Sequence, residues 1–240
     1  MRVLFVQHQE DCPPGLVGER LAELGASLDI VQARAPRLPD PTEFDLVVPL
    51  GCDDSAADES LPYLRGEWEL LERAVRAEVP VFGICFGAQL LCRVLGGRVR
   101  AAADGPEIGW LPIETAAAEV VEPGPWLVWH LDVMELGPAV VEVARTAVGV
   151  QAFTHGPHLG VQFHPEATVA SARVWAEHYR SSLDQLGIEA GGLLAETAER
   201  ACAARQRAYT LVDRVLSRAA GMRATALLAT TDFTASTTRK

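Results

Sequence analysis

The run VFGICFGAQLL, residues 81–91, sets Cys85 between Gly83 and Gly87, where an apolar strand-like segment gives way to a helical one. A thiol can attack a carbonyl carbon, and it does so as the thiolate. Small residues two positions to either side suit a tight strand-to-helix turn, because neighbouring chains must come close. That is the physical form of a nucleophile elbow, which holds the thiol at the carboxyl end of a sheet, where open α/β folds bind ligands. The following helix aims its first N–H groups at the same point. This favours thiolate and offers the Phe86 N–H to an oxyanion. The competing reading is a buried structural cysteine. Cys92, inside the predicted helix and without a glycine cradle, reads as core packing.

A thiolate nucleophile needs a base, and the base needs something to orient it. Of the six histidines, His164 stands out. It follows the apolar run LGVQF, is fixed by Pro165, and has Glu166 two positions on. Residues i and i+2 of an extended segment point the same way. Glu166 can therefore reach the far ring nitrogen of His164 and hold its tautomer. Cys85, His164 and Glu166 form a coherent nucleophile, base and orienting acid.

Positioning that set requires alternating strands and helices, and the first half of the chain supplies them. Strands are predicted over 2–7, 27–32, 44–51 and 80–85, and helices over 15–26, 66–78 and 87–97. The alternation predicts a mostly parallel sheet covered on both faces. From about residue 98 to 163 the pattern becomes short strand-like runs broken by Gly and Pro, which suggests hairpins or a mixed-sheet extension. Helical stretches follow at 167–184 and 193–220, and the tail 225–240 is expected to fray. The segment from Leu186 onward has more basic than acidic residues. It reads as a solvated C-terminal helix, with docking on the acidic body or on a partner as the alternative. The expected organisation is a catalytic unit over 1–185 and a helical extension over 186–240.

The whole chain bounds the function. Its 240 residues carry 21 basic and 32 acidic side chains, a net charge of −11, which argues against nucleic acid or an anionic membrane as partner. No apolar run approaches a transmembrane helix, and the N-terminal apolar stretch is too short for a signal peptide. A cytoplasmic location is expected. The five cysteines form no CxxC pair, so neither a disulfide framework nor a zinc site is suggested. No metal and no cofactor are implied.

GICFGAQ together with GVQFHPE resembles the class I, triad-type glutamine amidotransferases. The elbow of that family, G-x-C-x-G-x-Q, is matched by Gly83, Cys85, Gly87 and Gln89, and its H-P-E by His164 and Glu166. WHLD and QAF are similar to strings in its stand-alone, guanylate-synthetase-like members. The resemblance covers roughly residues 1–185 and implies a flavodoxin-like open α/β sheet. It implies attack by Cys85 on the side-chain amide of L-glutamine, with N–H groups of Phe86 and the Gly51 loop stabilising the oxyanion. It further implies that Gln89 contacts the substrate and that His130 and Asp132 line the pocket, although His130 reads equally as a structural strand residue. One departure stands in the oxyanion loop. The family usually has Gly-Gly-Pro there, and this chain has Gly51-Cys52-Asp53-Asp54. Acids pointing inward would oppose an oxyanion beside them, and Cys52 would bring a second thiol.

Three functions remain open from the residues. A glutaminase would pass ammonia to a separate synthetase chain, since neither a phosphate-binding glycine loop nor an ATP-using domain is recognisable. A γ-glutamyl hydrolase would use the same triad on γ-glutamyl amides or peptides. A catalytically silent binding or regulatory relative would keep the fold alone. The altered Gly51 loop supports the last, and the intact set of Cys85, His164, Glu166 and Gln89 argues against it.

Overall fold

Strand β1 (Arg2–Gln7) lies between β2 (Ser27–Gln32) and β3 (Leu46–Pro49), parallel to both. The computed structural model describes residues 1–103 and 105–236, with side chains as far as 221. A parallel bridge between Val47 and Val81 joins β3 to the start of β4 (Phe82–Ile84), which pairs in parallel with β12 (His158–Val161). Beyond β12 the sheet turns antiparallel through β11 (Val150–His155), β10 (Val141–Arg145) and β7 (Glu114–Thr115). This is the open α/β sheet with an antiparallel extension that the alternation predicts. Two ribbons complete it: β5 (Arg98–Ala101) with β9 (Asp132–Glu135), and β6 (Glu107–Leu111) with β8 (Trp126–His130).

β1 explains the layering. Its side chains alternate, and both sets are buried, so each face needs a cover. Val3 and Phe5 pack with residues of α1 (Gly15–Glu23) and α6 (Ala190–Ser236). Leu4 and Val6 pack with residues of α2 (Leu64–Arg76) and α3 (Phe86–Val94). The expected 167–184 helix is divided at Tyr179 into α4 (Val169–His178) and α5 (Arg180–Gln185). Thr168 caps α4, accepting from the Ser171 N–H at 3.0 Å.

The C-terminal helix is not the solvated element that its charge suggests. Ala208, Leu211, Val212 and Val215 of α6 are buried, the last three within the core cluster on the β1 face. Arg20 of α1 makes a two-pronged pair with Asp213, both contacts at 2.9 Å, and the Trp110 indole N–H donates to Thr197 at 2.9 Å. The buried stripe includes Ala204, Ala208 and Ala219, which give little hydropathy signal. The fraying expected of 225–240 concerns side chains, and for 237–240 also backbone, that lie outside the described residues. Among the described residues no helix is long and apolar enough to cross a membrane.

Candidate active site

β4 runs directly into Cys85, and α3 begins one residue later. Cys85 has φ 49° and ψ −108°, an unfavourable conformation for a residue with a side chain. The surroundings enforce it. The Cys85 N–H donates to the Val161 carbonyl at 2.8 Å, and the Gly87 N–H donates to Leu50 at 3.2 Å. A Cβ on Gly87 would stand 2.1 Å from the Pro49 carbonyl oxygen, and one on Gly83 would stand 2.8 Å from the Ala88 backbone. A side chain at either glycine would meet backbone at close range.

Cys85 is buried, and its Sγ accepts from Gln162 Nε2 at 3.5 Å and lies 3.8 Å from the Trp129 carbonyl oxygen. His164 Nε2 lies 3.3 Å from that same carbonyl, while its Nδ1 is 2.7 Å from Glu166 Oε1. The thiol and the imidazole thus converge on one backbone oxygen, and the Glu166 carboxylate holds the far side of the ring. Burial pulls the His164 pKa down, but the charges of Glu166 and Cys85 and hydrogen bonds to both outweigh it and hold it well above the ordinary histidine value. The Trp175 ring packs edge-on against the imidazole at 4.9 Å. The Glu166 carbonyl accepts from the Leu16 N–H at 2.9 Å, so the start of α1 anchors the acid's backbone.

The Gly51 loop passes beside this pair. A Cβ on Gly51 would sit 3.2 Å from His164 Cε1, which would have to give by a few tenths of an ångström, and 3.4 Å from Cys85 Cβ, an ordinary contact. Both acids of this loop, Asp53 and Asp54, line the pocket over Cys85, and Asp54 is engaged by two partners. Its carboxylate accepts from the Tyr63 hydroxyl at 2.5 Å and pairs with Arg34 at 3.5 Å. Cys52 Sγ faces the same hydroxyl at 3.7 Å. Burial raises the pKa of both Cys52 and Cys12, so these neighbouring thiols stay protonated. Cys92 is fully buried in α3, with burial pushing it up to about 11, and fits the expected packing role.

A pocket of about 150 Å³ opens over the thiol, and Gln89, His130 and Asp132 all line it. Gln89 Nε2 donates to Gln162 Oε1 at 3.1 Å, which makes a relay from Gln89 through Gln162 to Cys85. His130 is tied sideways into β-strand neighbours, 3.1 Å from Gln151 Nε2 and 3.2 Å from Glu107. Asp132 accepts from the Ser55 hydroxyl, which joins the pocket floor to the loop after Gly51. Two participants escape sequence reasoning. Gln162 is two positions before His164 on one strand-like run, so the same alternation that found Glu166 could have found it. The Trp129 carbonyl has no side-chain signature. Among the described residues no group of three or more His, Cys, Asp or Glu is disposed to hold a metal ion.

The family model described as glutamine amidotransferase class-I matches residues 16–174. The chain is 30% identical over 199 residues to the glutamine amidotransferase-like protein YfeJ of Salmonella typhimurium, covering 76% of this chain and 83% of that one. It is 34% identical over 104 residues to one subunit of the glutamine-hydrolysing GMP synthase of Methanococcus vannielii, 40% of this chain and 54% of that relative. Against the GMP synthase of Helicobacter pylori it is 31% identical over 158 residues, 63% of this chain but only 30% of that enzyme. The chain therefore spans about half or less of these synthase relatives. A solved glutamine amidotransferase of Thermotoga maritima superposes with a TM-score of 0.82 at 29% identity, over 90% of this chain and 97% of that one. The chain belongs to the class-I glutamine amidotransferase family and is an enzyme of that class.

Proposed function

We propose that the protein hydrolyses the side-chain amide of L-glutamine through Cys85, His164 and Glu166, by way of a γ-glutamyl thioester. The Cys85 thiolate attacks the amide carbon, and the carbonyl oxygen takes the charge. The Phe86 N–H, first of its helix and so without an intrahelical acceptor, and the Gly51 backbone are the donors we assign to that oxyanion. Imidazolium at His164 gives its Nε2 proton to the departing nitrogen, and ammonia leaves. Neutral His164 then takes a proton from water. The hydroxide adds to the thioester, glutamate is released, and the thiolate is restored. Glu166 holds the ring and stabilises its charged form throughout.

The observation that carries this reading is the convergence of Cys85 Sγ and His164 Nε2 on the Trp129 carbonyl, with Glu166 behind the ring. The hold of Tyr63 and Arg34 on Asp54 weakens the case for a silent relative, which rested on the altered loop. The likeness to a GMP synthase that is divided into subunits supports a further step, transfer of the ammonia to a synthetase on another chain.

A diazo-ketone analogue of glutamine tests the site directly. The proposal expects one adduct per chain, mapped to Cys85, with L-glutamine protecting. An unmodified Cys85 in folded protein removes it. Turnover of γ-glutamyl amides far above that of glutamine would assign the same triad to a γ-glutamyl hydrolase.

A further inference from the structure

Away from the thiol, the segment between β2 and β3 faces the first turns of α2 across a concavity of about 460 Å³. Three arginines line it, Arg34, Arg37 and Arg73, with one acidic residue, Glu69. Glu69 is already engaged by Arg65 at 2.9 Å. In a chain of net charge −11, such a gathering of cations runs against the composition. Arg37 carries no ion pair among the described residues, and Arg73 feels Asp40 without pairing with it. Gly66 lines the same wall, and a Cβ there would meet nothing within 4 Å. Packing therefore does not require this helical glycine, and its missing side chain leaves the cavity open.

We propose that this cavity binds a small phosphate-bearing dianion. Guanidinium forks match phosphate oxygens in geometry as well as charge. Arg34 is shared with Asp54, and Arg37 and Arg73, which make no ion pair among the described residues, favour a doubly charged group over a single carboxylate. The concave walls favour a small molecule over an extended surface partner. The site also touches the catalytic loop. Arg34 stacks over the Tyr63 ring at 4.8 Å and pairs at 3.5 Å with Asp54, which lines the pocket over Cys85. A bound phosphate competes with Asp54 for Arg34 and so loosens one of the two restraints on the loop. This inference stands on the cavity alone and does not depend on glutamine being the substrate.

The test is calorimetric titration of the full chain at low salt with inorganic pyrophosphate and, separately, with a nucleoside monophosphate. Saturable uptake of about one per chain is expected for at least one of them, and the pair distinguishes an inorganic from an esterified source. In R37A/R73A, affinity should fall about tenfold or more, as expected for loss of charge-assisted bonds. The single variant R37Q, on an exposed loop, should show a smaller loss and serves if the double variant does not fold. No saturable uptake of either probe overturns the proposal. Uptake that both variants leave unchanged overturns it too, as does binding of an acidic peptide in place of the phosphates.

Discussion

The Tyr63 hydroxyl donates to the Asp54 carboxylate at 2.5 Å, in the loop that passes Cys85. Burial pushes the Tyr63 pKa up, so the phenol remains a donor. Arg34 pairs with the same carboxylate oxygen, so Asp54 is held by two partners in an acid-bearing loop. Tyr63→Phe releases one of these restraints. We expect glutamine hydrolysis to fall about fivefold to twentyfold, in line with loss of one hydrogen bond to a charged group. Asp54→Asn in the same chain should restore most of it. Failure of that rescue, measured as kcat for ammonia release, would show that Tyr63 acts through packing alone.

Glu166→Gln keeps the shape behind His164 and removes the charge. Burial then acts on the imidazole without the carboxylate that opposes it, so its pKa falls. The limb of the pH–rate profile that reports imidazolium should move to lower pH. The rate should drop about a hundredfold or more, as for loss of the orienting acid in a triad. A profile that keeps both its limb and its height would place Glu166 outside the chemistry.

The two elbow motifs were legible because their logic is local. Gly83 answers to backbone approach within a few residues, and His164 and Glu166 to strand alternation, while the partner that Gly87 approaches, Pro49, lies far back in the chain. The Trp129 carbonyl and the contact between Gln89 and Gln162 join residues far apart in the chain, and the Tyr63–Asp54 bond spans nine residues of loop without a regular period. The docking of α6 was hidden for another reason. Its contact stripe includes three alanines, Ala204, Ala208 and Ala219, which pack closely but barely register as apolar. The mixed extension was legible as short broken strands, while their pairing into one sheet edge and two ribbons was not.

Gly87 and Gly66 should respond in opposite directions to alanine. At Gly87 the new Cβ would lie 2.1 Å from the Pro49 carbonyl oxygen, a contact that only backbone movement can relieve. Denaturant unfolding should show a loss of about 3 kcal/mol or more, or no folded protein. At Gly66 nothing lies within 4 Å, and helix propensity alone predicts a gain of about 0.5–1 kcal/mol. Equal effects at the two sites would contradict the close approach of α3 to β3.

His158 sets a second pH dependence, on stability. It is buried in β12, and burial first, then His155 and Arg218, lowers its pKa to about 4. The unfolded chain, at the ordinary value near 6.5, binds a proton that the folded chain refuses. Stability is therefore lost as pH falls from about 6.5 toward 4, by up to about 3 kcal/mol from this group. His158→Gln should flatten that part of the curve relative to the parent protein in urea unfolding at a series of pH values. Parallel curves would show that His158 titrates alike in both states.

The central claim is that Cys85 hydrolyses glutamine, and stoichiometry tests it most directly. Folded protein would be incubated with L-glutamine, and ammonia and glutamate measured together, beside Cys85→Ala of unchanged circular dichroism. Equal release of both products, abolished in Cys85→Ala, is the predicted result. Release that survives the substitution would contradict the account.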